Sequence, residues 1–66
     1  MENYHFTVLD AGGNVLRERE SDCVDDFQAE AAARIFLLSR GTESVEARTN
    51  GRLIYTVARE ASGPAA

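Results

Sequence analysis

The chain has 66 residues, a formal net charge of −4 and a single cysteine, Cys23. That length bounds it to one small domain whose own core rarely supplies more than ~3–5 kcal/mol, so a disulfide, a metal or a partner subunit is the usual supplement. One cysteine excludes an internal disulfide, no apolar run approaches the ~18 residues that a membrane-crossing helix needs, and the acidic balance argues against general nucleic-acid binding.

The first predicted element is "YHFTVL", Tyr4 to Leu9, aromatic and β-branched like a half-buried strand. Period-two alternation puts Tyr4, Phe6 and Val8 on one face and His5, Thr7 and Leu9 on the other. "DAGGN", Asp10 to Asn14, follows. Paired glycines can cradle a phosphate, but a phosphate loop leads into a helix N-terminus, and here the glycines lead into a second strand, "NVLRERE". The stretch therefore reads as a bulged hairpin turn, with Gly13 in the left-handed region and Asp10 bonding back to the backbone. That register sets Val8 against Leu16 on the core side and Leu9 against Val15 outside.

From Ser21 the chain switches to helical chemistry, "SDCVDDFQAEAAARIFLLSRG". Ser21, Asp22 and Asp25 are candidate N-caps, Asp25 and Gln28 have capping-box spacing, and Gly41 is placed to end the helix. Glu30 and Arg34 stand four apart in the favourable order. Two apolar stripes run along this helix. One is Phe27, Ala31, Ile35 and Leu38; the other, nearly opposite, is Ala29, Ala32, Ala33 and Phe36. A helix covering one sheet face needs a single stripe, so the surplus predicts a second contact, most simply with another copy of the chain. Ala29, Ala32, Ala33 and Phe36 are the candidate dimer stripe, although spacing alone leaves open which stripe meets the sheet.

"SVEART" and "RLIYTVARE" flank Asn50-Gly51, a strong hairpin signal. A three-residue turn with Gly51 as a G1 bulge keeps Val45 and Ala47 on one face with Leu53, Tyr55 and Val57, and is preferred to a two-residue turn for that reason. Residues 61–66 read as a frayed tail behind a single domain of residues 1–60. The fold class is α+β, a two-layer β-β-α-β-β arrangement in which two hairpins form one sheet covered on one face by the helix. The first and last strands are the most apolar and are expected in the middle of the sheet.

These registers place His5, Thr7, Leu9, Val15, Arg17, Arg19, Glu46, Arg48, Arg52, Ile54 and Thr56 on the outer face. Leu9, Val15, Arg17, Arg19, Arg48, Arg52 and Ile54 form a candidate interaction surface of the Arg-plus-apolar kind found at protein interfaces. A nucleic-acid platform using Arg17, Arg19, Arg48 and Arg52 is the alternative, weakened because Tyr4, Phe6 and Tyr55 point inward and leave no base-stacking aromatic outside. All seven basic residues are Arg, which reads as codon bias of a GC-rich bacterial genome, with selection for bidentate contacts as the alternative.

No constellation predicts catalysis, and no cofactor is expected. Asp22, Asp25 and Asp26 suit the positive end of a helix dipole, and oxygen ligation of Mg²⁺ or Ca²⁺ is the weaker reading. Cys23 near the helix start is flanked by acids that oppose thiol activation, and His5 lies on the other side of the sheet. The lone thiol and the polar start at Met1–Asn3 predict a reducing, cytoplasmic setting.

Three stretches, "YHFTVLD", "DDFQAEAAA" and "VEARTNGRLIYTVARE", resemble short bacterial proteins classed as domains of unknown function. Those proteins open with a Tyr-x-Phe strand, continue through an Ala-rich helix and end in a Gly-turn hairpin. The resemblance spans most of residues 4–60 and implies a bacterial origin and a hairpin-and-helix fold, with no catalytic residues to carry over. The combined expectation is a small, non-enzymatic protein-interaction or regulatory module that forms a homodimer and does not enter membranes.

Overall fold

Alternation in "ENYHFTVL" builds a long first strand that buries every second side chain from Tyr4 to Val8. The computed structural model describes residues 1–59; Glu60, expected to close the last strand, and the tail at 61–66 lie outside the described residues. The elements are β1 (Glu2–Leu9), β2 (Val15–Cys23), α1 (Asp26–Leu37), β3 (Ser44–Thr49) and β4 (Arg52–Ala58). All strand pairs are antiparallel in one open sheet of order β2-β1-β3-β4, and the helix covers one face. This is the expected two-layer α+β arrangement.

The strand order departs from expectation. β3, not β4, lies beside β1 in the middle, and β4 is an edge. β3 is less apolar overall, but it alternates strictly, burying Val45, Ala47 and Thr49. Val45 and Ala47, together with Ala29 and Ala33 of α1, join the core beneath the helix, which packs chiefly over β3 and β4, while Thr49 Oγ1 donates to the Asn3 carbonyl at 3.0 Å. Close approach of helix to sheet requires small residues, so side-chain size decided the central position.

"DAGGN" is a turn. Asp10 Oδ1 accepts from the backbone N–H of Gly12 and of Asn14, each at 2.9 Å. Gly13 has φ +83°, the left-handed conformation that favours glycine, and its N–H donates to the Asp10 carbonyl at 3.0 Å. Leu9 pairs with Val15 as expected, but Val8 pairs with Arg17 and not with Leu16. Leu16 is the extra residue of a bulge, half exposed, and the slip flips the rest of β2. Arg17 and Arg19 therefore share the helix-side face with Val8 and Phe6, while Glu18 and Glu20 take the outer face.

The second hairpin also carries a bulge, in another place. Asn50 (φ +55°) and Gly51 (φ +74°) are both left-handed and Thr49 pairs with Arg52, so the turn has two residues, not the expected three. The register shift falls within β4 at Ile54 instead. Val45 and Ala47 still meet Val57 and Tyr55, as the core demands, but Leu53 pairs with Arg48 and leaves the core face, contrary to expectation.

β2 extends through Ser21, Asp22 and Cys23, which pairing with Tyr4, Asn3 and Glu2 draws into the sheet. Their N-cap propensity yields to these backbone partners, and the helix starts later. Asp25 is the N-cap: its Oδ1 accepts from Gln28 N–H at 2.9 Å, and Gln28 Oε1 accepts from Val24 N–H at 2.7 Å. The helix ends at Leu37, before Gly41. Arg59, beyond β4, secures that end, its Nη2 donating to the carbonyls of Leu37 and Thr42, each at 2.8 Å.

Candidate functional site

A helix lying on a sheet buries one side, and in α1 that side is Ala29 and Ala33, with Ala32, Phe36 and Leu37 packed beside them. Phe36 meets Phe6 in a tilted aromatic contact with centroids 5.2 Å apart. The candidate dimer stripe, Ala29, Ala32, Ala33 and Phe36, is thus the inward one, a correction with a simple cause. Alanines let the helix settle onto small strand residues, which Phe27 and Ile35 would hold off.

The other stripe is left outside. Phe27 is 80% exposed, Leu38 79%, and Ile35 and Val24 66% each. Phe27, Ala31 and Ile35 make one apolar band at helical spacing opposite the buried alanines, continued by Leu38 at the C-cap, with Val24 just ahead of the N-cap. A band of this size outside a small domain is uncommon for a monomer.

One flank of the band is charged and ordered. Glu30 Oε2 accepts from Arg34 Nη2 at 2.9 Å and from its Nε at 3.3 Å. Arg34 Nη2 also donates to the Tyr55 hydroxyl at 2.8 Å, with the guanidinium 6.0 Å from that ring's centre. Hydrogen bonding to Arg34 holds the Glu30 carboxyl below the ordinary carboxylate value, and Glu30 in turn raises Arg34. Burial, then Glu30, raises Tyr55. Phe27, Glu30, Ala31 and Arg34 line a shallow depression here.

The residues expected on the outer sheet face do not assemble there. Leu9 and Val15 are paired on that face at one end, and Arg48 lies on it, bonded to Glu46 Oε1 at 2.9 Å. Arg17 and Arg19 are turned to the helix side, the register sets Arg52 opposite buried Thr49, and Ile54 packs against the core. The outer face of β2 is instead acidic, and the His5 ring bonds Glu18 Oε1 at 2.6 Å with Glu20 Oε2 3.8 Å away. The two bulges caused the misplacement, since each inserts one residue that no turn motif announces.

The acidic cluster is divided among local tasks: Asp25 caps the helix, Asp26 accepts from the Tyr4 hydroxyl, and Asp22 accepts from Asn3 Nδ2 at 3.4 Å. Among the described residues no group of three His, Cys, Asp or Glu side chains is placed to hold a metal ion. Cys23 ends β2, inside the core, and burial raises its thiol pKa. His5 lies on the opposite face, so the two do not meet. No described helix is long and apolar enough to cross a membrane.

Arg59 and the Tyr4–Asp26 bond escaped the sequence reading because they join residues 17 to 22 positions apart with no local motif. The outward band did carry a signal, the doubled stripe, but not its orientation. Compared with known proteins, the chain matches no family model, no curated protein and no solved structure.

Proposed function

We propose that the chain is a small, non-enzymatic protein-interaction module that works as a homodimer through the outward face of α1. The observation that carries this reading is the exposed band of Phe27, Ile35 and Leu38 on the side of the helix away from the sheet, with exposed Val24 just ahead of the N-cap. Fully burying one such side chain is worth ~1.5–3 kcal/mol. Two copies contribute eight of them, against an association cost of ~4–15 kcal/mol, so partial burial supports a dimer of moderate affinity.

The non-enzymatic part of the reading is supported by the separation of Cys23 and His5 on opposite faces and by a thiol whose burial favours the protonated form. A reducing cytoplasmic setting fits a sole cysteine that is free and buried. Nucleic-acid binding through Arg17, Arg19, Arg48 and Arg52 has less support, because the register divides these arginines between two faces.

Sedimentation velocity over a concentration series tests the proposal. The expected result is a monomer–dimer equilibrium in the micromolar range, shifted to monomer by Phe27→Glu with Ile35→Glu while circular dichroism is unchanged. A wild-type chain that stays monomeric at high micromolar concentration overturns it.

A further inference from the structure

The outward band is nearly symmetric along the helix. Ala31 sits at its centre, with Phe27 one turn before it and Ile35 one turn after, while Leu38 is the C-cap and Val24 precedes the N-cap. Read from either direction along the helix the order is large, small, large. An interface built on a two-fold axis must be complementary to itself under reversal, and this pattern meets that condition. A small residue at the axis also lets two helices approach to the ~8–10 Å at which the larger side chains interdigitate.

The charged flank selects the direction. Glu30 and Arg34 lie on one side of the band, and Arg34 is already positioned by Tyr55. In an antiparallel pair around a two-fold axis, like flanks face each other and run in opposite directions. Glu30 then stands near the partner's Arg34, and Arg34 near the partner's Glu30. A parallel pair would set this flank against the opposite one, which carries uncharged Gln28 and Ala32 and gives the charges no counterpart. Clusters that read as their own complement give orientation and register more than raw affinity.

We infer that two copies of the chain pair antiparallel across α1, with Ala31 on the two-fold axis and the Glu30 and Arg34 charges shared between the copies. The inference rests on the reading that the outward helix face carries the dimer, and adds its arrangement.

Cross-linking of single-cysteine additions in the full chain tests it, since buried Cys23 is shielded from mild oxidation. Ala31→Cys is expected to form an intermolecular disulfide readily. Leu38→Cys is not, because in the antiparallel pair its two copies lie about 20 Å apart along the axis, given a rise of ~1.5 Å per residue. Mixing Phe27→Cys with Ile35→Cys is expected to give the mixed disulfide. Glu30→Arg or Arg34→Glu alone is expected to weaken dimerisation ~10-fold, and the double exchange to restore it to within about threefold, which charge-independent packing would not do. A dimer in which Leu38→Cys cross-links as readily as Ala31→Cys, or in which the double exchange fails to rescue, overturns the antiparallel arrangement alone. A wild-type monomer by sedimentation overturns the dimer reading with it.

Discussion

The Tyr4 hydroxyl donates to Asp26 Oδ1 at 2.6 Å, tying the first strand to the first turn of the helix across the edge of the core. The bond favours the protonated phenol, and with burial and the nearby carboxylate it raises the Tyr4 pKa far above the ordinary 10.0. A raised folded-state pKa contributes stability that is fully present below the unfolded value and is lost as pH rises through the folded one. The melting temperature is therefore expected to fall as pH climbs past 10.0, and less steeply in Tyr4→Phe. Tyr55, also raised, keeps part of the slope in that variant. Thermal melts of both proteins across the alkaline range check this, and equal slopes would remove the Tyr4 phenol as the cause.

The "DAGGN" turn predicts a contrast between adjacent glycines. Gly13→Ala forces an L-residue to φ +83° with no neighbour to relieve it, and is expected to cost ~1–2 kcal/mol. At Gly12 an added Cβ meets the flexible Asn14 amide at 3.1 Å and Asp10 Oδ1 at an ordinary 3.5 Å, so Gly12→Ala is expected to cost less. Urea denaturation of the two variants measures the difference, and equal losses would contradict the turn geometry.

The same turn has an acid signature. Backbone N–H groups of Asn14 and Gly12 hold the Asp10 carboxyl below its ordinary 3.8. A depressed carboxylate contributes stability present above the unfolded value and lost as pH falls through the folded one. Asp10→Asn is expected to lower stability at neutral pH and to flatten the loss below 3.8. Parallel acid titrations followed by circular dichroism decide it.

How far the fold was legible depended on how local its causes are. The β-β-α-β-β order, the Asp25 cap and the left-handed Gly13 each follow from residues within a few positions of one another. The central place of β3 did not, because it depends on how closely Ala29 and Ala33 let the helix approach, a property of two distant segments at once. The outer face failed for a related reason. One unannounced residue at Leu16 moves Arg17 and Arg19 through the sheet, so an error of a single position reverses every assignment after it. At the helix, the two stripes were legible, but the spacing that reveals them is the same for both.

Arg59 predicts an effect at the far end of the helix from its own place in the sequence. Its guanidinium bonds the carbonyl of Leu37, which the helix cannot satisfy itself, and that of Thr42 in the loop beyond. Arg59→Ala is expected to destabilise by about 1 kcal/mol, and Arg59→Lys to recover only part of that, since a lysine lacks the planar fork. Amide hydrogen exchange should show the loss concentrated at residues 37–42; uniform protection loss would argue against a local clamp.

Cys23 predicts an inert thiol. It lies buried at the end of β2, and desolvation raises its pKa, so it offers little thiolate at neutral pH. Disulfide reagents are expected to modify it at a rate that follows unfolding, becoming fast only in denaturant. Rapid modification of the native chain would place Cys23 nearer the surface than it is here.

The two bulges have a consequence for how this chain can meet another. Leu16 sits in β2 and Ile54 in β4, so both free margins of the sheet are interrupted by a residue that breaks the regular run of donors and acceptors. A strand arriving at β4 finds the ladder broken at Ile54, and one arriving at β2 meets alternating charges along the regular stretch beyond the bulge. Sheet extension, the commonest hazard of an open four-stranded layer, is blunted at both sides. The irregularities that move side chains from one face to the other also make both edges poorer templates for an added strand.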